Sequence, residues 1–263
     1  MQIEGKVALI TGANGGLGEA MATRLKQAGA SLILSGRRKD ALEPVAEKLG
    51  AKMIIADLAK PEDVKRLHEE AGNVDIAILN AALPASGMFL EFDEEFVNRA
   101  LDVNLRVPIV MAHHFGKQMA ERGSGHIVFI SSISGKVASL GTSMYSATKF
   151  GMRGFALALR EEFAMKGVGV STVFPGFIRD AGMFAKTGVK LPGVVGTKSP
   201  EDVANAVHRC IAKNVGEVDV AAFDQRFGAL LAAISPTLVA GIQKNFGGHD
   251  VSKQMMSAQR DVR

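Results

Sequence analysis

The chain contains a single tyrosine, and it stands one helical turn before a lysine, in Tyr145-Ser146-Ala147-Thr148-Lys149. On a helix, positions i and i+4 share a face, so the phenol and the ammonium can lie side by side. A nearby cation favours phenolate, lowering a pKa whose unperturbed value is about 10. A tyrosine tuned in this way can act as general acid or base near neutrality. Taken alone, the pattern favours a half-buried tyrosine beside an exposed lysine. Upstream, Ser132 follows a strongly apolar run in Ile130-Ser131-Ser132-Ile133-Ser134-Gly135. Parallel sheets bind ligands outside the carboxyl ends of their strands. There the Ser132 hydroxyl can hydrogen-bond a substrate carbonyl. Without the tyrosine it would read as a loop serine.

A second cluster lies near the start. Val7–Ile10 runs into Thr11-Gly12-Ala13-Asn14-Gly15-Gly16-Leu17-Gly18, followed by a helical pattern. Glycines at a strand-to-helix turn let backbone approach a phosphate closely. The helix behind them offers free N–H groups and a positive dipole end. The spacing is G-x-x-x-G-x-G with no G-K-[ST] after it, which excludes a P-loop NTPase. A glycine-rich turn of no chemical meaning is the alternative.

In a dinucleotide site the second strand ends near the adenosine ribose, where Asp or Glu binds the 2′-hydroxyl and a basic group accommodates a 2′-phosphate. Here the segment reads Leu34-Ser35-Gly36-Arg37-Arg38, with no carboxylate at the strand end. A guanidinium suits phosphate because its planar fork donates two parallel hydrogen bonds. The plain alternative is a solvated basic turn before the next helix. Asp57, after the third strand, can accept from an adenine amino group or serve as an ordinary residue at a helix start.

These residues need elements to position them. Short apolar runs rich in β-branched residues are expected as strands at Val7–Ile10, Ser31–Ser35, Lys52–Ala56, Asp75–Leu79, His126–Ser131, Gly169–Phe174 and Val218–Ala221. Between them, helices are expected at Gly16–Ala28, Lys39–Leu49, Pro61–Ala71, Phe92–Gly116, Ser143–Lys166 and Pro200–Lys213. Apolar strands alternating with amphipathic helices predict an α/β fold, a doubly wound parallel sheet of about seven strands covered on both faces. The unbroken rhythm favours one domain over residues 1–263, with a helical tail over about 223–263.

Composition narrows the class. The 263 residues are 47% hydrophobic and 22% charged, as in ordinary globular chains. A net charge of +4, dispersed along the chain, argues for neither nucleic acid nor an acidic tail. One cysteine, Cys210, excludes an internal disulfide framework and fits a reducing compartment. The six histidines show no metal-ligand spacing, so no metal is expected. No signal segment or bilayer-length apolar run is visible, so the expectation is a cytoplasmic protein without firm membrane association.

The ordered set T-G-x-x-x-G-x-G, Asn80 after the fourth strand, Asn104 in a helix, Ser132, Y-x-x-x-K and Pro175-Gly176 resembles the short-chain dehydrogenase/reductase family over about residues 5–222. The resemblance implies a Rossmann-type sheet, a nicotinamide cofactor, and hydride transfer to or from a carbonyl/alcohol carbon. It makes Tyr145 the acid/base and Ser132 the donor that polarises the carbonyl. Lys149 would bind the nicotinamide ribose and lower the Tyr145 pKa. Asn104 would hold a water in a proton relay behind Lys149. In reduction, Tyr145 protonates the developing alkoxide, and the resulting phenolate is favoured by Lys149 and the oxidised nicotinamide. By position, cofactor contacts are implied at Gly12, Asn14, Gly16, Leu17 and Gly18; at Arg37, Arg38, Asp57 and Leu58; at Asn80 and Ala81; and at Tyr145, Lys149, Pro175, Gly176 and Ile178. The cofactor implied is NADP(H) by preference, with NAD(H) possible. A homodimer or homotetramer is implied by the family's use of its long helices as an interface. A catalytically idle nucleotide-sensing or scaffold protein on the same fold is the rival reading. An epimerase or dehydratase is disfavoured by the glycine spacing and the short C-terminal region.

Two departures stand out. The family's Asn-Asn-Ala-Gly reads Leu79-Asn80-Ala81-Ala82, and a threonine often found after Pro-Gly is replaced in Phe177-Ile178-Arg179-Asp180. Asp180 in that place could accept from the cofactor carboxamide but not donate. The segment Met183–Val195 is apolar and glycine-punctuated and would wall a substrate pocket as a lid, or else cover core as a surface loop. A small-molecule carbonyl or alcohol of apolar character is expected there. In the tail, Phe223, Phe227, Leu230, Leu231 and Ile234, then Leu238, Val239, Ile242 and Phe246, read as two short amphipathic helices straddling Pro236. They are expected to pack on the body or a partner subunit, with a substrate cover or weak membrane contact as alternatives.

Overall fold

Alternating side chains decide the sheet. In the fifth strand, Val128 and Ile130 join one hydrophobic layer while Ile127 and Phe129 join the other. A period of two sends neighbours to opposite faces, so a strand apolar at every position needs cover on both sides. The computed structural model, which describes residues 1–189, 191, 195–245 and 248–260, supplies that cover. Its strands are β1 (Val7–Thr11), β2 (Ser31–Gly36), β3 (Lys52–Ile55), β4 (Ile76–Leu79), β5 (Gly125–Ile130), β6 (Val168–Pro175) and β7 (Glu217–Val220). All pair in parallel, in the order β3-β2-β1-β4-β5-β6-β7.

Helices α1 (Gly16–Gln27) and α2 (Lys39–Leu49) cover one face, joined later by α8 (Pro200–Lys213). The other face is covered by α3 (Pro61–Ala71), α5 (Val107–Arg122) and α6 (Ser143–Ala164). Local chemistry starts several of them. Pro61 and Pro200 occupy first-turn positions whose N–H would be unpaired anyway. Ser199 and Asp202 form a reciprocal capping box on α8. The order reverses between β1 and β4, and such a switch point opens a crevice at the strands' carboxyl ends.

Two expectations are corrected. The helix expected over Phe92–Gly116 is interrupted. It comprises α4 (Glu94–Leu101), a π turn over Asp102–Arg106, and then α5. Within the turn the Val107 N–H reaches the Asp102 carbonyl, five residues back. Pro108 supplies a physical reason: it has no N–H to give the carbonyl of Asn104, its α-helical partner. The tail holds three helices rather than two: α9 (Phe223–Ile234), α10 (Pro236–Asn245) and α11 (Gly248–Gln259), following the short α7 (Gly182–Ala185) and α8 in chain order. The inner face of α9 and α10 is made by Ala229, Ala232 and Val239, while Phe223, Phe227, Leu230, Ile234, Leu238 and Ile242 are exposed. The expected packing of these large residues on the body therefore does not occur. Phe246 lies outside the described residues.

Candidate active site

The turn after β1 is held by side chains as much as by its own backbone. Thr11 Oγ1 accepts from the N–H groups of Asn80 at 3.0 Å and Ala81 at 3.1 Å. Asn80 Nδ2 returns hydrogen bonds to the carbonyls of Thr11 at 2.9 Å and Gly12 at 3.2 Å. Gly12 has φ +64, and a Cβ there would come within 2.9 Å of Ala81 Cα. A Cβ on Gly18 would meet the Gly12 carbonyl oxygen at 2.4 Å. Glycine is therefore required at both positions: at Gly12 by conformation and space, at Gly18 by space. No side chain caps the start of α1, so its first N–H groups remain available to an anion.

Asn14 Oδ1 sits where a Cβ on Gly36 would stand, 2.6 Å from that position. The end of β2 thus has room for Asn14 and none for a side chain of its own. Arg37 and Arg38 follow and line the cleft. Asp57 lines it too, while its Oδ1 accepts from the Ala59 N–H at 3.1 Å, so it shapes the approach to α3 as well.

Across the switch point, β5 delivers Ser132 and α6 delivers Tyr145 and Lys149. The loop after β5 packs tightly on α6, since a Cβ on Gly135 would come within 2.8 Å of the Lys149 carbonyl oxygen. Ser132 is extended, with its Oγ accepting from the Ser134 N–H at 3.1 Å. It also hydrogen-bonds the Tyr145 side chain. Lys149 is buried, and Nζ donates to the Ile130 carbonyl at 3.0 Å. Burial pushes the Tyr145 phenol up to about 12, against the opposing hydrogen bond from Ser132. Burial likewise pushes Lys149 down to about 8. This corrects the expected lowering of the Tyr145 pKa by Lys149. The ammonium lies over the ring, 5.5 Å from its centre, and is turned to a backbone carbonyl.

A continuous cleft of about 750 Å³ brings these parts together. The glycine turn, Arg37, Arg38, Asp57, Leu58, Asn80, Ala81, Ser132, Tyr145, Lys149, Pro175, Gly176 and Ile178 all line it, and Asn104 does not. That residue is fully buried, and both ends of its amide are occupied by Leu83: Oδ1 accepts from the N–H at 2.7 Å and Nδ2 donates to the carbonyl at 3.0 Å. Pro108 has no N–H to give the Asn104 backbone carbonyl. Met183 and Phe184 of the expected lid line the cleft; Lys190, Pro192, Gly193 and Val194 lie outside the described residues. Asp180 is not part of the lining. It takes φ 67 and points to solvent beside Arg179, Nε to Oδ2 3.5 Å. Its carboxylate is therefore exposed and outside the cleft that the expected carboxamide contact requires.

Sequence reasoning missed the Thr11 hydroxyl, Arg99 on α4 and the whole contribution of α11 to the lining. Thr11 belongs to the glycine motif, but its role as a bracket depends on β4 lying beside β1. Nothing local to Arg99 or α11 signals where their helices turn.

The glycine cradle, the open start of α1 and the adjoining arginines fit the diphosphate and ribose of a nicotinamide dinucleotide. A family model described as short chain dehydrogenase matches residues 6–191. An uncharacterized oxidoreductase of Staphylococcus aureus is 33% identical over 226 residues, covering 82% of this chain and 96% of the relative. A ketoacyl reductase of Nostoc sp. is 31% identical over 266 residues, covering 96% and 93%. Among solved structures, a short-chain dehydrogenase from Sphingobium yanoikuyae in complex with NADPH superposes with TM-score 0.77 at 26% identity, covering 89% of this chain and 95% of that one. With these likenesses over the fold that carries the cleft, the chain belongs to the short-chain dehydrogenase/reductase family of NAD(P)-dependent oxidoreductases.

Proposed function

We propose that the protein interconverts a ketone and a secondary alcohol of apolar character, with NADP(H) preferred over NAD(H), and that residues 1–263 act as one unit with 223–263 as its helical tail. The observation that carries this reading is the convergence of Ser132, Tyr145 and Lys149 on the cleft that also holds the glycine turn. When bound, the nicotinamide supplies or accepts the hydride. The chain's own residues do the rest. Ser132 donates to the substrate oxygen and orients the carbonyl. Tyr145, held protonated by its burial, stands ready to give its proton to that oxygen in the reductive direction. Lys149 hydrogen-bonds the nicotinamide ribose and, once its ammonium faces the phenol oxygen, favours the phenolate left behind. The Asn104 carbonyl supports a water behind Lys149 for return of the proton.

Cofactor preference rests on Arg37 and Arg38 after β2, with Gly36 in place of a ribose-binding carboxylate. The same reading takes the protein to be a cytoplasmic homodimer or homotetramer. Exposed Val110 on α5, with Phe150 and Leu157 on α6, supplies apolar surface for association. No helix among the described residues is long and apolar enough to cross a membrane. Oxidation of NADPH and NADH is followed with a panel of ketones. Faster turnover of several ketones with NADPH supports the proposal, and no turnover with either cofactor overturns it. Light scattering at micromolar concentration should give two or four subunits, and a monomer contradicts the assembly.

A further inference from the structure

Strand β7 reads Glu217-Val218-Asp219-Val220, and its alternation divides it between two faces. Val218 and Val220 are buried in the layer that α8 covers. Glu217 and Asp219 stand on the opposite face, that of α6, level with Thr172 and Phe174 of β6. Two cations meet these carboxylates, one from each element that carries a reacting group. Arg153 lies one turn beyond Lys149 on α6, and its Nε and Nη2 donate to the two Glu217 oxygens at 2.8 and 3.0 Å. Lys136 lies four residues after Ser132, at the end of the turn Ile133–Gly135. Its Nζ reaches Asp219 Oδ1 at 2.6 Å and Glu217 Oε2 at 3.3 Å. The same ammonium sits over the Phe174 ring, 4.1 Å from the centre.

The Lys136 side chain is 14% exposed, so its ion pairs are screened less by water and salt than those of a surface lysine. Burial raises the Glu217 carboxyl, but the hydrogen bond from Arg153 and the charge of Lys136 outweigh it and hold the group below its ordinary value. The carboxylate is therefore ionised at neutral pH, and the bidentate pair with Arg153 fixes its direction. The loop that carries Ser132 is moored on both sides of it. Before Ser132, the Ser131 N–H donates to the Val173 carbonyl at 2.9 Å. After it, Lys136 is held by β7.

We propose that Lys136 is a positioning residue for the reaction: anchored on Glu217 and Asp219, it holds the loop so that the Ser132 hydroxyl stays against Tyr145 and the substrate oxygen. Lys136 is not part of the cleft lining, so it acts through Ser132. Glu217, gripped by Arg153, ties that loop to the helix that bears Tyr145 and Lys149. The assignment rests on the oxidoreductase reading above and adds to it the device that keeps the two hydroxyls in register.

The test uses the full chain and a ketone that wild type reduces, in single turnovers with NADPH so that slow variants are measurable. Lys136→Met keeps the stem over Phe174 and removes the charge. It should slow reduction by about 10-fold or more, with the Kd for NADPH within about 2-fold of wild type. Lys136→Arg returns a cation to the place and should recover most of the rate. Ser132→Ala supplies the background that separates positioning from structural support. There Lys136→Met should slow reduction by less than about 2-fold more, because the hydroxyl that it positions is gone. Equal losses in the two backgrounds overturn the proposal, as does a wild-type rate in Lys136→Met or a loss carried by NADPH affinity. If Lys136→Met does not fold, Glu217→Gln loosens the same anchor and the same cycle decides, with the same outcomes. Wild-type reduction of the ketone leaves the oxidoreductase reading intact in each of these cases. Absence of wild-type turnover on every ketone removes that reading and this assignment with it.

Discussion

Lys149 places its ammonium 5.5 Å from the centre of the Tyr145 ring while donating at 3.0 Å to the Ile130 carbonyl. One turn of α6 brings the two side chains together, but their charges are not yet coupled through the phenol oxygen. The pair is set as an acid, with the phenol pushed up to about 12 by burial. In the oxidative direction the base is the phenolate, whose population grows as pH rises. Oxidative turnover should therefore climb from neutral to alkaline pH, while reductive turnover, which needs the protonated phenol, should not. A steeper alkaline rise in the reductive direction would contradict the assignment.

Lys149→Met removes both the ribose contact and the cation. Turnover should fall by about 10²-fold or more, and cofactor affinity should fall with it. Titration calorimetry with NADP⁺ separates the two effects. Unchanged affinity would remove Lys149 from the cofactor site.

Arg37→Ala should weaken NADP(H) selectively, by on the order of 1–3 kcal/mol for a charge-assisted contact. Parallel Kd measurements with NADPH and NADH decide it. Equal losses for both cofactors would show that Arg37 does not meet the 2′-phosphate.

Gly12→Ala forces a β-carbon into a left-handed turn, at a backbone cost of about 1–2 kcal/mol. It also meets Ala81 Cα at 2.9 Å, so the loop itself must shift. Lower Tm and lost cofactor binding are expected together. A variant with wild-type affinity would show that the turn is not the phosphate cradle.

Burial pushes His68 down to about 4 and His126 down to about 3, so both are neutral in the folded protein at pH 6. The unfolded chain protonates them near pH 6.5. Below that pH the unfolded state binds more protons, so stability is full above about pH 6.5 and declines as pH falls toward the folded values. Each histidine should contribute a slope on the order of 1 kcal/mol per pH unit. Urea midpoints between pH 7.5 and 5 measure it. His68 also stacks on His114 with 4.1 Å between ring centroids and leaves Nε2 unpartnered. His68→Leu should flatten the slope, and an unchanged slope would rule out this source.

The parallel sheet was legible because Ala8–Ile10 of β1, Ile76–Leu79 of β4 and Ile127–Ile130 of β5 are apolar on both faces, a pattern that two covering layers satisfy. The cleft was legible because Gly12, Ser132, Tyr145 and Pro175 all stand at strand ends or on the helices that follow. The turn at Asn104 was not, since a π insertion depends on one missing N–H, at Pro108, and on the Leu83 backbone that takes up the amide. Asp180 misled because side-chain type says nothing of direction, and a positive φ turned its carboxylate outward. The tail helices were found by periodicity only where large apolar residues repeat. In α11 the cavity-facing residues include Ser252 and Gln259, which carry no such signal.

Because Tyr145 is the chain's only tyrosine, no other phenol can take over proton transfer. Tyr145→Phe retains the ring over which Lys149 lies and removes only the ionisable oxygen. Its steady-state reduction of a ketone turned over by wild type, measured beside its Tm and NADPH affinity, tests the account most directly. Turnover lowered by at least about 10²-fold, with folding and cofactor binding unchanged, is the predicted result. Near-normal turnover would show that the proton comes from elsewhere and that the proposed chemistry is wrong.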